Sequence, residues 1–417
     1  MLAMLRLFNT MTQSKEPFVS REDKKVKMYT CGPSIYRRPH IGNYRTFLYE
    51  DILQRYLEYL GYDVVRLVTL TDVEDKAIRE AEREGVDLKD LTEGIADILF
   101  SEQRLLGIKT ATYSPRSSTS VDQAVKLIKR LLEKGYAYRH RHEGRSNIYL
   151  DPLKFKEFGK LSRIDTNSWP KSKRRFHKDN YPGTPWNRGD FILWHGYKDG
   201  DKVHWDTDIG RGRSAWNVQD GAMVTKHLGF AVDIACGGID NLVRHHDYNI
   251  AVIEGVSGEE FSHYWLHGEH LFVNGKKMSK SRGNVYYPKD LIEMGYDEKH
   301  IRFFLIYKHY RKRLNFTIEK FKKTSRELDT LRDMVTNLQK AESHESSPSA
   351  DRIIPKILTS FEERMNDDLN VKSAFDSIFR IVKKLNILNE NSKLGSKNAN
   401  GAIRNLQKVD RVLRIIF

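Results

Sequence analysis

A strand, a sharp turn, a helix and a second strand open this chain and constrain its fold more than anything that follows. Val26-Lys-Met-Tyr-Thr30 alternates as a strand does, Cys31-Gly32-Pro33 punctuates it, and residues 42–60 carry Phe47, Leu48, Ile52, Leu53 and Tyr56 at helical spacing. Gly61-Tyr-Asp63 ends that helix, and Val64-Val-Arg-Leu-Val68 reads as the next buried strand. Strands joined through a crossover helix lie parallel in one sheet, so the opening predicts an α/β, Rossmann-type fold. The turn carries His40-Ile-Gly-Asn43 at the helix start, where free backbone N–H groups and the helix dipole favour a phosphate.

Further on, residues 74–107 read as mostly helical, and 121–134 as an amphipathic helix stopped by Gly135. From 136 to about 206 short strands and loops take over, with a basic, aromatic stretch at 171–186. We read an insertion (about 108–206) into a catalytic domain spanning 1–300. A helix at 218–229, a strand at 231–235 and a helix at 246–257 resume the alternation. Residues 301–341 form a connecting helical segment, 342–350 a polar linker, and 351–417 a helical bundle with helices at 352–365, 371–388 and 402–416. The stretch 389–400 reads as loose, and no internal repeat is evident.

Lys and Arg number 71 against 56 Asp and Glu, a net charge of +15 that favours a polyanionic partner such as RNA over a merely solvated basic surface. Two cysteines, Cys31 and Cys236, exclude a disulfide framework and fit a reducing, cytoplasmic setting. The first residues are too short for an export signal, and no apolar run approaches the ~20 residues of a membrane span.

The chemistry lies in two separated motifs. Lys277-Met-Ser-Lys-Ser281 sits in a Gly- and Ser-containing loop that can close over a nucleotide, and its lysines complement His40 and Asn43 as donors to phosphate. Such donors suit attack of a carboxylate on the α-phosphorus of ATP, a step that builds charge while pyrophosphate leaves. Gly42, Met278, Ser279 and Ser281 complete the phosphate-binding turns. In Gly237-Gly-Ile-Asp240 the glycines, Gly237 and Gly238, allow close approach of adenosine, and Asp240 can accept from a ribose hydroxyl.

Seven ordered segments carry a resemblance to cysteinyl-tRNA synthetases, class I aminoacyl-tRNA synthetases. They are Tyr29-Thr-Cys-Gly-Pro-Ser-Ile-Tyr36, Pro39-His-Ile-Gly-Asn-Tyr-Arg-Thr-Phe47, Leu70-Thr-Asp-Val-Glu-Asp-Lys76, Ala215-Trp-Asn-Val-Gln-Asp-Gly-Ala-Met223, Gly237-Gly-Ile-Asp240, His245-His-Asp247 and Lys277-Met-Ser-Lys-Ser281. The resemblance implies a Rossmann-type catalytic domain with a connective insertion and a helical domain after it. It implies ATP and Mg²⁺ as cofactors. His40, Asn43, Lys277 and Lys280 are then catalytic, and Cys31, Gly32, Thr71, Trp216, Asp220, His245 and Asn249 form the amino-acid pocket.

The resemblance also implies a zinc ion held by two cysteines, a histidine and a glutamate. Here Cys31 and His245 stand at the first and third positions, but Asp220 replaces the second cysteine and Asn249 the glutamate. Asn is a poor zinc ligand. Zn²⁺ is therefore expected to be absent or weakly held, and three readings stay open: a metal-free pocket for another acid, a weakened Cys31, Asp220 and His245 metal site, or a cysteine-specific zinc enzyme. Without metal, Asp220 meets either a substrate group or an internal partner, His245 or Arg244. Family members usually continue into a domain that reads the anticodon, whereas the sequence stops at Phe417, so recognition by that route is not expected.

The function expected is ATP-dependent activation of an amino acid as its adenylate and transfer to an acceptor, with the acceptor stem of a tRNA as partner and no membrane. A paralogue that charges a small amine, like the related cysteine ligase of mycothiol synthesis, or a non-catalytic RNA-binding paralogue are the alternatives. The sequence leaves the oligomeric state open.

Overall fold

The computed structural model describes residues 4–142, 144–167, 190–278, 282–343 and 347–417. At its centre lies a parallel sheet built from β1 (Lys25–Thr30), β2 (Asp63–Val68), β3 (Val232–Gly238) and β4 (Ser262–Gly268), in the order β4-β3-β1-β2. Helix α1 (Ile41–Tyr59) links β1 to β2; α2 (Trp216–His227) precedes β3, and α3 (Asp247–Ser257) links β3 to β4. From β1 the chain passes to β2 on one side, while β3 flanks β1 on the other. The strand order thus reverses between β1 and β3, and in open α/β sheets the crevice beyond such a reversal receives ligands. Cys31 follows β1 there, and Gly237 and Gly238 end β3.

Both edges of the sheet are covered, which suppresses pairing with another chain. The hairpin Arg6–Asn9/Ser14–Pro17 leads to Thr10, whose N–H bonds the Trp265 carbonyl of β4 at 2.8 Å. On the other side Val68 and Leu70 donate to the carbonyls of Tyr113 and Pro115. Helix α1 runs through the core. Leu48, Leu53, Tyr56 and Leu57 on it are fully buried, and so is Asp51, which pairs with buried Arg302 of the helix Glu298–Tyr307 at 2.6 Å.

Between α1 and α2 the chain builds an antiparallel sheet of Ala137–His142, Arg145–Leu150, Phe191–Gly196 and Gly212–Ser214, paired in sequence order. The basic, aromatic stretch 171–186 lies outside the described residues. Helices Pro348–Ile353, Lys356–Met365, Val371–Glu390 and Ser396–Leu413 follow the long helix Ile318–Gln339.

Two sequence expectations need correction here. The helix expected over 352–365 is broken before Lys356, because Pro355 has no N–H to donate to the turn behind it. The last helix begins at Ser396, inside the stretch read as loose. Asn398, polar and unpromising locally, is ordered by accepting from Ser347 N–H and donating to Asp351. That helix ends at Leu413, with Arg414 in the left-handed region. Among the described residues no helix is long and apolar enough to cross a membrane.

Candidate active site

Two adjoining cavities of about 540 and 230 Å³ open beyond β1 and β3 and share Cys31, His40, Asn43, Asp240 and Met278. His40 caps α1: its Nδ1 accepts the Gly42 N–H at 3.2 Å, while Asn43 Oδ1 accepts the His40 N–H at 3.0 Å. Capping and chemistry are compatible. With Nδ1 used as an acceptor, the neutral ring carries its proton on Nε2, and Asn43 keeps its amide Nδ2 as a donor. Burial, reinforced by the nearby Lys277 charge, holds His40 below its ordinary pKa and favours its neutral form.

Lys277 comes to the same cavity from a short strand, Lys276–Lys277, paired against Leu271–Val273, which in turn pairs with Leu314–Phe316. The two motifs meet at Gly42, where an added Cβ would lie 2.5 Å from Met278 Cε. Ser279, Lys280 and Ser281 lie outside the described residues. Gly238 and Asp240 line the smaller cavity, and a Cβ on Gly238 would lie 2.6 Å from Asp240 Oδ1. Gly237 does not reach either cavity, contrary to the sequence expectation. Its N–H and carbonyl are both engaged by Tyr49 OH, so it fixes the turn from behind.

The larger cavity adds Thr71, Trp216, Asp220 and His245. Gly32 is dictated by packing, since a Cβ there would sit 1.7 Å from the Thr69 carbonyl oxygen. Trp216 opens α2 and stacks on His245 with centroids 4.7 Å apart and planes 7° from parallel. His245 stands in a π-helical turn, Leu242–His246, a device that re-aims side chains at functional sites. Asp220, one turn beyond Trp216, gathers the pocket. Its Oδ2 accepts from Tyr29 OH at 2.5 Å, lies 2.6 Å from His245 Nε2 and takes the Cys31 Sγ at 3.6 Å. Burial disfavours the Asp220 charge, but His245 and the hydrogen bonds from His245, Tyr29 and Thr69 outweigh it and hold the carboxyl below its ordinary pKa. Internal pairing of Asp220 with His245 is therefore the arrangement found.

Asn249 is corrected from wall to support. It is fully buried and donates through Nδ2 to Tyr29 OH at 3.2 Å. Sequence reasoning missed Tyr29, although it lies two residues from Cys31 on one strand path and so faces the same side. It also missed Glu74, Arg37, Arg38 and Asn241, all of which line the larger cavity.

Cys31, Asp220 and His245 offer donor atoms within 4.8 Å of one another, the only such group among the described residues. As they stand they form a hydrogen-bonded cluster, one donor short of the four of a closed zinc site. Nitrogen and oxygen ligands at about 2.0–2.1 Å in a tetrahedral site stand about 3.4 Å apart, whereas His245 Nε2 and Asp220 Oδ2 are 2.6 Å apart and hydrogen-bonded. A ligating histidine also donates its other ring N–H to an outer partner, and His245 Nδ1 has none among the described residues.

Residues 17–326 match the family model of the class I (C) tRNA synthetase catalytic domain, and residues 360–417 match the DALR domain. A cysteine–tRNA ligase of Brachyspira hyodysenteriae is 35% identical over 98% of this chain and 85% of its own length. One of Chlamydia felis is 36% identical over 99% and 86%. Among solved structures, Mycobacterium tuberculosis methionyl-tRNA synthetase in complex with methionyl-adenylate aligns with TM-score 0.67 and 16% identity over 94% of this chain and 90% of that one. The ternary complex of Agrobacterium radiobacter K84 agnB2 LeuRS with tRNA and LeuAMS aligns with TM-score 0.68 and 12% identity, over 96% and 85%.

Proposed function

The chain belongs to the cysteine–tRNA ligase family of class I synthetases, and on that premise we propose how its own residues activate an amino acid with ATP and pass it to tRNA. Amino acid, ATP and tRNA are the family's substrates, and Mg²⁺ neutralises phosphate charge when bound. The amino acid sits in the larger cavity with its α-carboxylate toward His40, and adenosine lies along Gly238 and Asp240. A carboxylate oxygen bonds to the α-phosphorus as the bond to the pyrophosphate oxygen breaks. His40 Nε2–H, Asn43 Nδ2 and Lys277 donate to the phosphate oxygens on which charge accumulates, with Lys280 joining from the same loop. A hydroxyl of the tRNA 3′ end then attacks the acyl carbon, and AMP leaves.

The observation that carries this reading is the contact of the two motifs across one cavity, with Met278 against Gly42 and Lys277 close enough to bias His40. Amino-acid-dependent exchange of labelled pyrophosphate into ATP, measured across all twenty amino acids, tests it. Exchange with at least one amino acid, followed by labelling of tRNA, is expected; no exchange with any of them refutes it. No step is routed through zinc.

A further inference from the structure

A cavity of about 720 Å³, larger than either of those at the active site, opens at the other end of α1. One wall is the end of α1, with Glu58 and Tyr59. The other comes from the helical bundle, with Glu362 on helix Lys356–Met365 and Lys408, Arg411 and Arg414 at the end of helix Ser396–Leu413. The walls are tied together: Arg55 Nη1 donates to the Arg411 carbonyl at 3.2 Å, Tyr56 OH to Asn366 Oδ1 at 2.8 Å and Tyr59 OH to Glu362 Oε1 at 2.6 Å. The groove is therefore preformed, but its charges do not cancel. Arg55 is matched by Asp51 at 2.9 Å, and Lys109 Nζ lies 2.7 Å from both carboxylate oxygens of Glu58. Asp410, beside the cations in sequence, accepts from the N–H groups of Ile415, Ile416 and Phe417. Lys408, Arg411 and Arg414 are exposed and have no ion pair or side-chain hydrogen bond among the described residues. They face one carboxylate, Glu362. A helix C-terminus favours cations in its last turn, which accounts for Arg411 and Arg414. It gives no reason for Lys408, more than a turn inside the helix and one turn from the like charge of Arg411.

Three exposed cations around one preformed groove complement phosphate groups spaced along a chain, which they neutralise with release of counterions. The groove is remote from the chemistry, since α1 has 19 residues and rises about 28 Å from its His40 end to its Tyr59 end. A ligand seated at the active site reaches this groove only if it is itself long, and of amino acid, ATP and tRNA only the last is. Building on the reading that tRNA is the acceptor, we infer that this groove holds the backbone of the tRNA whose 3′ end is charged at the other end of α1. Lys408, Arg411 and Arg414 meet its phosphates. Arg55 and Tyr59 belong to the segment matching the catalytic domain, and the three cations to the segment matching the DALR domain, so the RNA lies on the seam between the two. Contacts to phosphate fix the position of a nucleic acid without reading its sequence. The groove therefore serves capture and register of the tRNA and takes no part in forming the adenylate.

Two readouts on the full chain separate this inference from the reading it rests on: tRNA binding, titrated by filter retention at several salt concentrations, and amino-acid-dependent pyrophosphate exchange. The triple variant Lys408→Gln, Arg411→Gln, Arg414→Gln is expected to raise the Kd for tRNA at least about tenfold at about 0.1 M salt. It is expected to lower the slope of log Kd against log salt by about 2–3, close to one for each cation. Exchange and the thermal midpoint are expected to stay at wild-type values. Arg404→Gln is the control, an exposed cation on the same helix, two turns before Arg411 and outside the groove. It is expected to change the Kd by less than about twofold, whereas Arg411→Gln alone lowers the slope by about one. An unchanged Kd and slope in the triple variant, an effect of Arg404→Gln equal to that of Arg411→Gln, or a wild-type chain that binds no tRNA overturns the inference and leaves activation standing. A wild-type chain that shows the expected tRNA binding but no exchange refutes activation and leaves the groove standing. If the triple variant does not fold, the single variants at 408, 411 and 414 decide by the same slope.

Discussion

The two halves of the cavity are built on different physical plans. On the side proposed for the phosphates the groups come from element ends and turns: the cap of α1, the end of β3 and the two-residue strand that carries Lys277. On the side-chain side the groups come from helix interiors and a strand, and they satisfy one another through a buried network centred on Asp220. Turns that present backbone to a phosphate tolerate little change, because the ligand never varies. A buried network can be rewired as a unit, and it holds both Asp220 and Asn249, which replace ligands of the family pattern.

The largest expected effect strikes the wall both halves share. Gly32→Ala places a Cβ 1.7 Å from the Thr69 carbonyl oxygen, backbone that cannot step aside. We expect it to unfold the crevice or displace β1 from residues 69–71, with exchange abolished and the thermal midpoint lowered; normal activity would show that the two walls are not in contact. Lys277→Ala separates the halves. It should cost on the order of 10²–10³-fold in kcat for exchange, equally for every amino acid tested, with little change in the amino-acid KM. A loss confined to one amino acid would break the division. On the other side, Trp216→Ala removes the plane against which His245 is stacked and should raise the amino-acid KM by about tenfold while leaving the KM for ATP within about twofold.

A smaller effect concerns a buried carboxyl of α1. Glu50 on α1 is buried, its Oε1 has no partner among the described residues, and burial raises its pKa to about 8 even though Arg66 pulls it back. A carboxyl whose folded pKa lies above its unfolded value of 4.5 costs nothing below that pH. As the pH rises toward 8 the unfolded chain releases the proton and the folded one keeps it, so stability is lost over that window. Glu50→Gln should therefore gain on wild type by on the order of 2–3 kcal/mol between pH 5 and 7, measured by denaturant unfolding. An unchanged gap between the two proteins at the two pH values would show that Glu50 ionises freely.

The same division explains what could be read from the sequence. The β1-turn-α1-β2 opening is local, fixed by a few adjacent residues, and stands where expected; His40 caps α1 as the turn implies, and Lys277 and Met278 are the described residues of the second motif. The glycine pair suggests Gly237 as an adenosine contact, and the family's ligand pattern places Asn249 in the pocket; only tertiary packing reveals that they support the site from behind, through Tyr49 and Tyr29. Tyr29 itself was hidden because a tyrosine in an apolar strand reads as core. The 2.6 Å bond from Asp220 to His245 joins residues 25 positions apart on different helical segments, and no local pattern specifies it. The substitutions at 220 and 249 were legible, but the network that makes them work together was not.

Nucleotide chemistry and side-chain recognition are, on this division, separable in this cavity. Exchange kinetics at varied ATP and varied amino acid, run on His40→Asn and Asp220→Asn side by side, test it most directly. The account predicts that His40→Asn lowers kcat by on the order of 10²-fold for all amino acids with their order of preference unchanged, while Asp220→Asn alters amino-acid KM and that order with ATP KM within about twofold. Matching changes in ATP KM, kcat and amino-acid preference in both variants would contradict it.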